Sequence, residues 1–511
     1  MFKGRSRWTL LAFLVLAPPS GAGQEGSPKP QELRLTLSEC IQLALNRNLG
    51  VEISRYQPWI DDETILSAFG PFDHFFYADG SGSRNHLAAA SQLAGAPEID
   101  DQSALLRTGI RRTLPMGSLV DLSYSVQRDE TNSSFATLNP SWRESMGLAL
   151  VVPFLRGAGD AANLTPILLA RTARRISVDQ FERQLADSVL AVHEAYWALV
   201  SAIEQKRVRD QALDVARRLL EENKRRFELK ALAKVDVTQA DAGVASQIEG
   251  ILTAESAVHD AMDRLKRLID PELLRGEAVI VPADPPPTPE DALDEKAAVE
   301  RGVREAIGKR AEVREIHAQV DSADLAIEKA GNDALPRINA IASGSYTGIE
   351  DRFRSAADEL KSTDTYTWTV GISIEIPLEN RTASGAVRRA ELERRRLLLR
   401  RRDLEDQILV EVRASVREIK TAEKRIEATR RAAELAREQF EGEEKRRDQG
   451  MRTTFHVLDS RSKLTEALTN ELRARVDYAV AWARHRHVTG MLLAHHDILV
   501  EPNVAPRHPV R

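Results

Sequence analysis

Two hydrophobic periods divide this chain. Between Pro166 and Gly243 there is neither glycine nor proline, and the same holds between Gly385 and Gly442. Within the first tract, apolar residues recur at Phe181, Leu185, Val189, Val192, Tyr196, Leu199 and Ile203; within the second, at Leu404, Ile408, Val412, Ile419 and Ile426. Steps of three, four or seven place each set on one helix face. Sustained over such lengths, the pattern has the form of a coiled coil. A helix of roughly 65 residues is roughly 97 Å long, more than any ordinary globular core holds. About 35 residues follow each break and about 30–40 precede each long tract. End to end, two such helices match one long one, so each half of the chain predicts a continuous rod packed on a rod made of two pieces.

The second period is two. Tyr366, Trp368, Val370, Ile372, Ile374 and Ile376 alternate with Thr365, Thr367, Thr369, Gly371, Ser373 and Glu375. Val120, Leu122, Tyr124 and Val126 alternate with Asp121, Ser123, Ser125 and Gln127. About ten residues of such alternation, with aromatics near the ends, suit a strand with lipid on one face and water on the other. A half-buried sheet of a soluble protein is the plainer alternative. The repeated strand pairs are expected near Asp73–Arg84 with Arg143–Val152, and near Pro336–Tyr346 with Tyr366–Pro377. An extra hairpin, Leu105–Thr113 and Ser118–Arg128, turns at Pro115-Met116-Gly117. The count is four core strands, or six with that hairpin.

The two halves share landmarks. Gly147-Leu-Ala-Leu-Val-Val-Pro153 corresponds to Gly371-Ile-Ser-Ile-Glu-Ile-Pro377, Ile280-Val281-Pro282 to Val500-Glu501-Pro502, and Ala233-Lys-Val-Asp-Val237 to Thr453-Thr-Phe-His-Val457. Nearly constant offsets point to an internal duplication. The division is a signal segment at 1–23, a first repeat at 24–290 and a second at 291–511. Strands fall at about 73–153 and 336–377, and helix breaks at about 228–238 and 448–459. Each repeat opens with a moderate helix (Leu37 to Ser67, Asp294 to Ala334). Each closes on an extended, proline-bearing segment (Ala278–Pro287, Asp497–Pro509).

Composition narrows the class. Of 511 residues, 42% are hydrophobic, 29% charged and 5% aromatic, a balance of long helices rather than of a compact enzyme. A net charge of −5 gives no reason to expect a nucleic-acid partner. Lys3, Arg5 and Arg7, the apolar Trp8 to Ala17, and Gly21-Ala22-Gly23 read as a secretory signal cleaved before Gln24. Cys40 is the only cysteine; it allows no intrachain disulfide and lies too far from the signal for lipidation. No other run is long and apolar enough for a spanning helix, so entry into a membrane has to be through strands. Open strand edges in lipid cost several kcal/mol per unpaired group, and single-chain barrels begin at about eight strands. Four to six strands cannot close, so several copies share one barrel.

The chain resembles the outer membrane efflux (TolC-like) family over nearly its whole mature length. The resemblance is carried by Leu35-Thr-Leu-Ser-Glu-Cys-Ile-Gln-Leu-Ala-Leu45, Pro153-Phe-Leu-Arg-Gly157, Ala195-Tyr-Trp-Ala-Leu199 and Gly450-Met-Arg-Thr-Thr-Phe-His-Val-Leu-Asp459. It implies a mainly α chain with membrane β: a long coiled-coil α-barrel plus a shared outer-membrane β-barrel, assembled as a homotrimer with twelve strands. It implies a large periplasmic part, a periplasmic adaptor (membrane fusion) protein docked at the helix tips, and an inner-membrane transporter that supplies the energy. The channel entrance falls on Asp236, Asp459, His456 and Arg452, and the adaptor-contact tip on Lys230 and Gly450. Lys230 replaces a turn glycine, His456 stands where an aspartate is common, and Arg447 takes the place of a tethering tyrosine. A ring of carboxylates at a narrow mouth favours cations. Without the family, Asp236 and Asp459 are equally well helix-start carboxylates beside a positive dipole end.

No catalytic set and no cofactor is expected. His193-Glu194 opens like a metalloprotease box, but Trp197 stands where the second ligand belongs. His485, His487, His495 and His496 read as surface histidines rather than a metal site. The runs Arg394–Arg396 and Arg400–Arg402 read as a solvated face, with lipid headgroups as the alternative. The leading function is a passive exit duct for an efflux pump or type I secretion system. The alternatives are a periplasmic coiled-coil structural protein without channel activity, and a general diffusion porin, which has no use for such long rods.

Overall fold

The computed structural model describes residues 32–499 apart from 90, 92–93, 289–293, 363 and 450. The expected signal, the Val500 landmark, Gly450 and most of the last extended segment lie outside the described residues. In chain order the elements are β1 (Glu32–Leu35), α1 (Leu37–Arg47), α2 (Leu49–Ala68), β2 (Phe75–Ala88), β3 (Glu98–Thr113), β4 (Leu119–Thr131), β5 (Ser141–Pro153), α3 (Asp160–Glu228), α4 (Lys234–Ile269), α5 (Pro271–Arg275) and β6 (Val279–Pro282). There follow α6 (Glu295–Lys309), α7 (Ala311–Asp333), β7 (Arg337–Glu350), α8 (Phe353–Ser362), β8 (Tyr366–Glu375), α9 (Arg381–Asp448), α10 (Thr454–Val488) and α11 (Leu492–His495).

The long helices α3 and α9 have 69 and 68 residues, and α4 and α10 have 36 and 35. The helices that open the halves are each broken once. Asn48 ends α1 in an extended conformation and its side chain caps α2 at Val51 N–H. Arg310, also extended, separates α6 from α7 and holds Glu312 and Glu411 with its guanidinium. Beyond these breaks α1 packs on α3 and α4, and α6 packs on α9.

The rods form an ordered wall. In the upper part α2 packs on α3, α3 on α7 and α7 on α9; ion pairs Asp62–Arg174, Asp321–Arg175 and Asp324–Arg394 mark the three seams. In the lower part the order is α4, α3, α10, α9, with Glu255–Lys206, Glu194–Arg484 and Asp477–Arg425 at the seams. One edge is therefore α2 above α4, and the other is α9 throughout.

The main sheet is antiparallel with strand order β2-β3-β4-β5-β7-β8. It has six strands, where the resemblance implies four. The pair β7–β8 is adjacent, but β2 lies against β3 and not against β5, because the extra hairpin is inserted between them. The sequence cues for that hairpin were local; its place in the strand order is a long-range choice. One row runs across all six strands: Phe76, Ile110, Leu122, Leu148, Gly344, Trp368. A neighbouring row is Tyr77, Gly109, Ser123, Gly147, Ser345, Thr367. Successive side chains in a strand point to opposite faces, so one face is apolar and the other polar throughout this part of the sheet. Trp368, Val370, Ile372 and Ile374 are all exposed on the apolar face.

A second, two-stranded parallel sheet joins β1 to β6 beside Tyr196, midway along α3 and so at the waist of the long rod. The largest buried cluster lies beneath it, where Ile41, Val189, Tyr196, Leu199, Leu265, Ile269 and Ile280 pack together. Among the described residues, no helix is long and apolar enough to cross a membrane.

Candidate functional site

Both helical hairpins turn at the end far from the six-stranded sheet. The first turn runs from α3 through Leu229 and Lys230 to Ala233 and α4. Lys230 has φ 58°, a left-handed conformation that glycine adopts at no steric cost, and its N–H donates to Phe227 O at 2.9 Å. A lysine is thus held where a turn glycine fits best. The second turn joins α9 to α10, with Met451 N–H donating to Arg446 O at 2.9 Å.

Asp236 and His456 occupy the same place on their helices, the third residue of α4 and of α10. Asp236 is half-buried; its backbone N–H donates to Ala233 O at 3.1 Å and its carbonyl accepts from Asn223 Nδ2 at 3.3 Å. His456 is half-buried with its ring edge-on to Phe455. Asp459 lies one turn further along α10, is exposed, and receives Lys463 Nζ at 2.7 Å. Arg452 places Nε 3.4 Å from Glu443, which also accepts from Arg446 at 2.9 Å. The first and second hairpins touch here: the side chain of Leu458 lies against Gly243. Higher up, Arg447 of α9 reaches Glu222 of α3 at 3.4 Å, and Arg226 holds the same carboxylate at 2.5 Å.

The waist carries a second buried polar set. Tyr196, fully buried on α3, donates to Asp284 Oδ2 at 3.0 Å and accepts from Asp284 N–H at 3.0 Å. The same carboxylate accepts Leu37 N–H at 2.7 Å, so one tyrosine fixes the segments that follow β1 and β6. Burial first, and then the nearby Asp284, push the Tyr196 hydroxyl up from its ordinary value. Cys40 is buried under the same sheet and is pushed up to about 12 by burial. His193 and His496 meet Nε2 to Nε2 at 2.8 Å. Burial is the main cause that lowers them, to about 3 and about 4, so both rings are neutral at ordinary pH and one proton bridges the two nitrogens.

The family model for outer membrane efflux proteins matches residues 302–491, a stretch that begins in α6 and ends beyond α10. Over that stretch the chain is similar to the outer membrane efflux protein family. Members of this family are channels, not enzymes. A curated relative, the alkaline protease secretion protein AprF of Pseudomonas aeruginosa, is 25% identical over 327 residues, which are 62% of this chain and 64% of the relative. The match thus spans slightly less than two thirds of that relative's length. The fold is similar to that of the CmeC outer membrane channel of Campylobacter jejuni, with TM-score 0.65, 14% identity and coverage of 89% of this chain and 86% of that one. It is similar also to the outer membrane protein VceC of Vibrio cholerae, with TM-score 0.64, 15% identity and coverage of 89% and 96%.

Against this outer membrane efflux fold, the expected entrance residues fall at one end of the molecule, although Asp236 and Asp459 differ in depth along their helices. Sequence reasoning missed the Arg447–Glu222 link and took the C-terminal histidines for surface groups. In the structure His485 Nδ1 lies 2.9 Å from Ser415 Oγ, His487 Nε2 lies 2.7 Å from Asp187, and His496 meets His193. The sole early signal was their density, since no local spacing points to partners 70 to about 300 residues away.

Proposed function

We propose that the mature chain, freed of residues 1–23, forms a homotrimer that serves as the outer-membrane exit duct of a tripartite efflux pump or type I secretion system. Transport through it is passive and is driven by an inner-membrane transporter joined through a periplasmic adaptor at the helix tips. The observation that carries this reading is that both layers end in open edges on the same two sides. The sheet ends in β2 and β8; the helical wall ends in α2 above α4 and in α9. Unpaired strand edges are not tolerated in lipid, so copies close head to tail, with β8 and α9 of one against β2, α2 and α4 of the next. The exposed apolar stripe of α2, at Leu49, Ile53, Tyr56 and Ile60, supports this, as does exposed Leu392 and Leu399 on α9. The apolar sheet face then meets lipid, and the polar face lines the lumen.

At the tips, three copies of Asp236 and Asp459, with His456 and Arg452, form the entrance, and Lys230 and Gly450 lie at the adaptor contact. Expression followed by outer-membrane fractionation tests the reading. It expects a detergent-extracted, heat-resistant oligomer of three chains, with channel activity in planar bilayers. A stable monomer that stays in detergent-free buffer would support the coiled-coil structural alternative instead.

A further inference from the structure

Resting on the trimeric reading above, we infer that the membrane wall has eighteen strands rather than twelve, because the β3–β4 hairpin is part of the wall and widens the mouth. Three observations place the hairpin there. It is hydrogen-bonded on both sides, to β2 along Phe75–Ala88 and to β5 along Ser141–Val151, with unbroken register. Its lipid-facing positions continue the apolar surface: Leu106, Ile110, Val120 and Leu122 extend the face formed by Leu148, Leu150, Trp368 and Val370. A hairpin folded over the outside or into the lumen has no reason to match that surface in both register and polarity.

The third observation is at the helix-side turn. Gly117 has φ 91° and sits so close to the start of α3 that a Cβ would lie 2.1 Å from Gly157 O. Gly159 N–H donates to Met116 O at 3.1 Å, and Asn163 Nδ2 donates to Gly157 O at 2.8 Å. On its other side the same segment is held by Asn332 Oδ1, which accepts Gly157 N–H at 2.8 Å. The hairpin is therefore seated in the joint between the sheet and the helical wall.

The dimensions follow. Strands about 4.8 Å apart and tilted ~40° give a circumference of roughly 110 Å for eighteen and roughly 75 Å for twelve. Four helical columns per copy, ~10 Å apart, give roughly 120 Å for three copies. The eighteen-stranded ring continues the helical ring with little taper, and its cross-section is about twice that of the narrower ring. The added strands also contribute to the polar face a cluster in which Tyr77 donates to Asp121 at 2.9 Å, with Arg107 and Arg111 over the Tyr77 ring. A mouth of this width is an aqueous opening, so it does not sieve what leaves, and selection falls to the periplasmic tips.

Single-particle imaging of the purified oligomer counts the strands directly, and eighteen are expected. A paired-cysteine variant, S83C with S103C, adds a check in native outer membranes, because these residues are register partners of β2 and β3; a disulfide within one chain is expected. Excision of residues 98–131 brings β2 beside β5, and the largest polyethylene glycol that enters from the outer side should then fall in size. Twelve strands in the wall, no cross-link, or an unchanged size limit overturns the inference and leaves the channel reading intact. Failure to find any membrane oligomer defeats the channel reading itself.

Discussion

Arg447 and Glu222, 225 positions apart in sequence, bring guanidinium and carboxylate within 3.4 Å and tie the second long helix to the first above the tips. Arg226 shares the carboxylate, so both long helices depend on one acidic side chain. Because Glu222 is more than a third exposed, the pair contributes at most ~1 kcal/mol to stability. Its larger effect is on position. Glu222→Gln is expected to leave the melting temperature of the oligomer nearly unchanged and to raise single-channel conductance severalfold. Wild-type conductance in this variant would show that the link does not restrain the entrance.

Asp459, proposed above for the channel entrance, is exposed and pairs with Lys463 at 2.7 Å. If three copies line the mouth, Asp459→Ala weakens cation preference and block by divalent ions, because the ring loses its attraction. Lys463→Ala acts in the opposite direction. Reversal potentials in a salt gradient measure both, and equal selectivity in all three proteins removes Asp459 from the mouth.

Gly117→Ala meets two obstacles, a left-handed backbone and a backbone oxygen 2.1 Å from the new carbon. The expected cost is roughly 2–3 kcal/mol, with a lowered thermal midpoint of the oligomer. Gly371, on β8, has open space around it, and Gly371→Ala should be tolerated in the same measurement.

Val370 and Thr369 are neighbours on opposite faces of β8. Val370→Arg places charge against hydrocarbon at about 2–4 kcal/mol if it lies near the midplane, whereas Thr369→Arg faces water. The yield of heat-resistant oligomer should fall for the first and hold for the second. The reverse result would exchange the lipid and lumen faces.

The His193–His496 pair sets a pH dependence. Both folded-state values lie below the ordinary 6.5, so the unfolded chain binds protons that the folded chain refuses. Stability from this pair is fully present above about 6.5, falls as the pH drops below it, and levels off under the folded values near 3 to 4. Thermal midpoints between pH 7 and 4 should decline, and His193→Gln, which holds no titrating proton, should flatten that decline. Identical slopes would show that other groups carry the acid response.

The elements are written locally in the chain. Glycine- and proline-free tracts with helical periodicity specified α3 and α9, and strict alternation specified β8 and β4, because these signals are local and each residue reports its own environment. Even the hairpin turn at Pro115-Met116-Gly117 was legible. The partners are chosen by long-range packing: that β2 lies on β3 and not on β5, that Asn48 and Arg310 break the opening helices, that Glu222 meets Arg447, and that His193 meets His496. A strand's alternation is the same whichever neighbour it takes, and a charged or imidazole side chain carries no mark of a partner hundreds of residues away. Those choices arise when the chain closes its long loops and the packed wall leaves one geometry in which every edge, turn and buried polar group is met.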